Sequence, residues 1–127
     1  MNMENSQLQN LMSYTVFHIG VYISLLGVIL GGGISGKLNY KIFRIPFAFY
    51  LIAGACGGVI ASSIPEFNDF DKFNETRIGL LGLDLLKYKV WAKIEHISFW
   101  IGTLSIAIPF LFVGVKYFTE KTSNKIK

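Results

Sequence analysis

The chain is poor in charge, in proline and in cysteine. Only 16% of its 127 residues are charged, where an ordinary soluble domain carries about a quarter. A single cysteine, Cys56, excludes an intrachain disulfide framework. There are three prolines, no low-complexity tract and no internal repeat, so no linker divides the chain. One domain, residues 1–127, is expected at this length. HExxH, CxxC and CxxCH patterns are missing, as is a glycine-rich phosphate loop after a strand, so the common soluble-enzyme motifs are absent. What is abundant is apolar: 52% hydrophobic residues, 11 Phe and 13 Gly, with a mean hydropathy of +0.47. That composition excludes a disordered chain. It points to an all-α integral membrane protein.

The gaps between charges place the helices. Between Glu4 and Lys37 lie 32 residues without a formal charge, between Arg44 and Glu66 lie 21, and between Glu95 and Lys116 lie 20. A helix needs about 20 apolar residues to cross ~30 Å of hydrocarbon at ~1.5 Å per residue. Three transmembrane helices are predicted, near residues 13–34, 45–64 and 96–118. An outer loop, residues 65–95, holds an interfacial segment between the second and third. Its Phe67, Phe70 and Phe73 could stripe a short helix lying on the interface, or sit in turns. In residues 77–95 neither a helical nor a strand period fits, and the C-terminal part reads as an extension of the third helix. Asp84, Lys87 and Lys89 speak against a fourth span there. Tyr88, Trp91 and Trp100 suit the headgroup belt.

Lysine and arginine set the direction. The first connection holds Lys37, Lys41 and Arg44 and no acid, and the tail holds Lys116, Lys121, Lys125 and Lys127 against Glu120. Loop 35–44 and the C-terminus are therefore expected inside, and the N-terminus and loop 65–95 outside. The segment MNMENSQLQN carries Glu4 and no basic residue, so a retained signal anchor is expected rather than a cleaved signal peptide. The net charge of +4 suits a lipid bilayer with anionic headgroups, and no nucleic acid is expected as a partner.

Small residues form the clearest pattern. Gly27-x-x-x-Gly31 and Gly32-x-x-x-Gly36 lie on the first span, and Gly54-x-x-x-Gly58 continues at that spacing to Ser62 on the second. Between helices in lipid, close backbone approach supplies the attraction, and such spacing permits it. Gly27, Gly31, Gly54, Gly58 and Ser62 are thus candidate helix-packing residues. They would meet each other within the chain or another transmembrane subunit. Cys56 sits in the same stripe and reads as a small packing residue.

The two histidines are the candidate ligands. His18 lies in the first span and His96 opens the third, at the same expected face of the membrane. Glu66 and Asp69 follow the second span at that face. An ionisable group in a span is a functional candidate by default, and neutral histidine ligates haem iron, zinc and copper. His18 and His96 could hold a b-type haem, or a divalent metal together with Glu66 and Asp69. The bland alternative is a hydrogen-bonded His18 and a solvated His96.

Two resemblances arise at these residues. Phe17-His-Ile-Gly-Val-Tyr22, the run Gly57-Gly-Val-Ile-Ala-Ser-Ser-Ile-Pro-Glu-Phe-Asn-Asp69 and Lys93-Ile-Glu-His96 resemble in layout a family of small predicted membrane proteins of unknown function. That likeness implies at most a redox association. Ile64-Pro-Glu-Phe-Asn-Asp69 and Ile94-Glu-His96 are also similar to parts of the motifs of membrane-bound metal-dependent hydrolases. Trp91 and Ala92 stand where that second motif has its first His and its Arg. Three functions are carried forward: a non-catalytic helix-packing subunit of a larger membrane complex, a haem- or metal-binding electron-transfer subunit, and a hydrolase. The first leaves the chain without an enzymatic activity of its own.

Overall fold

The computed structural model describes residues 3–119. The expected tail residues Glu120, Lys121, Lys125 and Lys127 lie outside them. The element order is α1 (Met3–Ile34), α2 (Tyr40–Ser63), a 3-10 turn (Ile64–Glu66), α3 (Phe70–Glu75), β1 (Arg77–Leu80), β2 (Leu83–Lys87), α4 (Tyr88–Val113) and α5 (Lys116–Thr119). Three of these helices, α1, α2 and α4, are long and apolar enough to cross a membrane.

Local chemistry sets the ends. The run Gly31-Gly-Gly-Ile-Ser-Gly36 closes α1, and Gly36 takes a left-handed φ of 71°. Its neighbours Lys37 and Leu38 both donate their N–H to the carbonyl of Gly32 at 3.0 Å, satisfying one of the carbonyls that a helix end leaves open. Asn39 then caps α2 through its side chain, which accepts from the Lys41 N–H at 3.1 Å. Gly114, with φ 83°, stops α4.

The boundaries correct the expected ones. α1 starts ten residues before 13, because Met3–Met12 holds neither Gly nor Pro and its Leu8, Leu11 and Met12 pack on the core at that end. α2 starts at Tyr40 rather than 45, behind its asparagine cap. α4 spans Tyr88–Val113 instead of 96–118. The expected backward extension of the third helix thus begins at Tyr88 and takes in Lys89, Lys93 and Glu95, which places His96 eight residues inside the helix rather than at its end.

The loop at 65–95 is not one interfacial segment. It divides into the 3-10 turn, α3, an antiparallel hairpin and the first two turns of α4, so a small two-stranded sheet qualifies the all-α expectation. The hairpin pairs Arg77 with Lys87, Ile78 with Leu86, Gly79 with Asp84 and Leu80 with Leu83, with a bulge between Ile78 and Gly79. Leu81 and Gly82 make its two-residue turn, both at positive φ, as a primed hairpin turn requires. The Trp91 indole N–H reaches the carbonyls of Ile78 at 3.0 Å and Leu86 at 3.1 Å, pinning both strands to α4. The phenylalanine stripe turns inward rather than outward. Phe73 is fully buried with Leu8, Val59, Ile60, Ile64 and Ile78, and Phe67 and Phe70 pack beside it.

α2 lies between the other two long helices: 44% of its most apolar window is buried, against 6% for α1 and 11% for α4. At the far end from the hairpin, Ile29, Phe43, Tyr50 and Phe118 form a second core. There the Asn39 N–H donates to the Phe118 carbonyl at 2.7 Å, tying α5 to the first connection.

Candidate functional site

Polar side chains gather where α1 and α4 face each other across α2. Tyr14, His18 and Tyr22 recur at four-residue spacing, which puts them on one face of α1. α4 brings Glu95 and His96 to the same level. The Tyr22 hydroxyl donates to Glu95 Oε1 at 2.9 Å. Tyr22 is fully buried and Glu95 is 3% exposed. A carboxyl held this far from water is costly unless it is hydrogen-bonded; Tyr22 supplies the bond.

Gly57 makes the room. A Cβ built there would lie 3.0 Å from Ile19 Cγ1 on α1 and 3.8 Å from the Glu95 carboxyl carbon on α4. The missing side chain thus lets both flanking helices close over α2 beside the carboxyl group. Cys56, next to it, is buried, as expected of a packing residue.

His18 and His96 come together, as their shared face predicts. Their ring centroids are 6.5 Å apart at an interplanar angle of 65°. His18 Nδ1 lies 2.7 Å from the Tyr14 carbonyl oxygen. A carbonyl can only accept, so Nδ1 is the donor, and the tautomer that makes this bond has its lone pair on Nε2. His18 is half-buried and His96 is exposed, so the pair borders the outside of the bundle while Tyr22 and Glu95 lie within it.

Glu66 and Asp69 do not join them. Glu66 is exposed in the 3-10 turn. Asp69 caps α3, accepting from the Asp71 N–H at 2.8 Å. Among the described residues, no three His, Cys, Asp or Glu side chains are grouped so as to hold a metal ion. The four-residue donor set suggested by the sequence is not assembled.

The candidate packing residues divide as well. A Cβ built at Gly54 would lie 3.9 Å from Tyr22 Cβ, whereas Cβ atoms at Gly27, Gly31 and Gly58 would meet nothing within 4 Å, and Ser62 is exposed. Between the long helices the tight contacts are made by Gly57 and by Gly102, where a Cβ would lie 2.9 Å from the Tyr50 ring; Gly32 is crowded too, by Leu38 of the first connection. Gly102 follows Ser98 at the same four-residue spacing, and both are buried, a pair not singled out from the sequence. Glu95 and Tyr22 were not singled out: the third helix does extend back into 77–95 as expected, but its span was begun at His96 and Glu95 was not weighed as a buried group. The signal was the stretch 83–101, which holds no Gly or Pro and lets the helix run back through the charges. Family models, curated proteins and solved structures contain no match to this chain.

Proposed function

We propose that the chain is an integral membrane protein crossing the bilayer three times, and that it serves as a helix-packing subunit of a larger membrane assembly. One observation carries the subunit reading. Gly20, Ser24, Gly27 and Gly31, spaced by four, three and four residues, form an exposed small-residue line along α1. No atom lies within 4 Å of a Cβ built at any of its three glycines, although the chain's own close approaches are satisfied elsewhere. Such a line suits the close approach of a helix from another subunit. On α1 Ile34, and on α4 Leu111 and Phe112, are each more than three-quarters exposed, as lipid-facing side chains are.

Gly27→Leu combined with Gly31→Leu should therefore release the partner subunit during purification from native membranes. The isolated variant should keep its thermal stability within about 0.5 kcal/mol, as surface substitutions do. A partner that still co-purifies removes α1 from the interface.

The direction proposed is the basic connection 35–44 inside and the hairpin outside, together with the N-terminus. A cysteine at Lys41 should be shielded from a membrane-impermeant reagent added outside, and one at Leu81, wholly exposed at the hairpin turn, should react. The opposite labelling reverses the chain.

A second reading has its own observation, the facing histidines with Nε2 of His18 free to bind. Under it the chain carries electrons through a b-type haem or a metal held by His18 and His96. Purified protein should then show a Soret band or a bound metal. His18→Ala and His96→Ala should each remove most of it, and the double variant should lose no more. A colourless, metal-free wild type removes this reading. The hydrolase has no comparable support, because Glu66 and Asp69 stand apart from the histidines.

A further inference from the structure

At the end of the molecule opposite the hairpin, α1 and α2 diverge around a groove. Ile29, Leu30, Gly33 and Ile34 of α1 line one side, Phe43 and Phe47 of α2 the other, and Leu38 its floor. The cavity measures about 280 Å³ and its walls are almost wholly apolar. That is near the lower limit for small-molecule pockets, about 300 Å³: room for part of one flexible chain. Arg44 and Tyr40 stand at its edge. Arg44 Nε leans on the Lys41 carbonyl at 3.5 Å, and Lys37 and Lys41 are exposed close by in a connection that holds no acid.

We propose that this groove seats one acyl chain of an anionic phospholipid whose phosphate lies against Arg44, with Lys37 and Lys41 adding attraction. The two halves of the site answer the two halves of such a molecule. An apolar slot opens beside a cluster of cations, at the level where the helices leave their apolar stretch. Arginine suits the phosphate because its planar fork can bind two oxygens at once. The exposed Tyr40 ring belongs at the same boundary between hydrocarbon and headgroup. A zwitterionic lipid would fill the slot equally well, but its amine would offset the attraction. The site should therefore select by headgroup and hold by chain.

The proposal rests on the membrane reading, and the test separates the two. The full chain is reconstituted into vesicles of phosphatidylcholine with one-fifth phosphatidylglycerol, and insertion is scored by resistance to carbonate extraction. The protein is then released in mild detergent and its retained lipids are counted by native mass spectrometry. Wild type should insert and retain phosphatidylglycerol well above its share. Arg44→Gln should insert but lower that enrichment about fivefold, the effect of one cation near a charged surface. Gly33→Leu, which keeps every charge and fills the slot, should lose retention of both lipids, and Ile34→Trp should do the same from the other side of the helix turn. Retention of the two lipids by the wild type in the four-to-one proportion of the vesicle overturns the site. So does retention of phosphatidylglycerol that survives both slot-filling variants, since that is surface charge without a seat. A wild-type chain that washes out with carbonate overturns the membrane reading and the site with it.

Discussion

Gly102→Leu is expected to part α4 from α2. A Cβ at this position would already lie 2.9 Å from Tyr50 Cε1, 3.2 Å from Cδ1 and 3.3 Å from Cζ. The ring cannot retreat easily. Tyr50 is buried, stands 6.1 Å from Phe99 between ring centroids, and is hydrogen-bonded to Thr103 Oγ1 at 3.2 Å. Overpacking of this kind costs about 1–3 kcal/mol, and displacing the tyrosine adds about 1 kcal/mol for the lost hydrogen bond. The unfolding midpoint in detergent should fall accordingly, read by circular dichroism against increasing SDS. Gly57→Leu should behave similarly, since it meets Ile19 and the Glu95 carboxyl. Gly58→Leu is the control. It adds the same side chain one residue further on, where nothing lies within 4 Å, and should leave the isolated chain unchanged. Equal losses at Gly58 and Gly102 would mean that the packing described here is not the one that holds the chain together.

That contrast shows how far the sequence could be read. Long gaps between charges located three helices, because no other feature of this chain accounts for 20 or more uncharged residues in a row. They did not locate the ends. Lysine and glutamate are good helix formers, so α4 begins at Tyr88 and runs through Lys89, Lys93 and Glu95 into its apolar part. The hairpin was hidden for two reasons. Its turn is Leu81-Gly82 rather than the usual Asn-Gly or Asp-Gly, and the bulge at Ile78/Gly79 breaks the alternation that marks a strand. Small residues announced close packing, but their spacing does not encode the rotation of each helix about its axis. Gly57 and Gly102 therefore make the tight contacts between the long helices, while a Cβ at Gly27, Gly31 or Gly58 meets nothing within 4 Å. The histidine pair was legible because it needed only helix direction and depth. The Tyr22–Glu95 bond joins residues 73 apart, and it follows from no local pattern.

That bond gives the second large expected effect, and it separates a structural role from a functional one. Tyr22→Phe removes the donor and leaves the buried carboxyl of Glu95 without its partner, at a cost of about 1–3 kcal/mol. Glu95→Gln retains an oxygen able to accept from Tyr22 in nearly the same volume, so its cost should stay below about 1 kcal/mol. Glu95→Met leaves the Tyr22 hydroxyl unsatisfied and should resemble Tyr22→Phe. The double variant Tyr22→Phe with Glu95→Met takes away both polar groups together, and matched removal can be nearly neutral. A double-mutant cycle in detergent should therefore show the double variant more stable than either of its singles, with a coupling of at least about 1 kcal/mol. If the pair serves only to hold α1 against α4, the double variant should also keep any partner or cofactor that the wild type carries. If the carboxyl instead works beside His18 and His96, the double variant should remain folded yet lose that cofactor or the assembly's activity, and Glu95→Gln, though stable, should lose it too. Simple additivity of the two losses, with no coupling, would show that the 2.9 Å contact carries neither role.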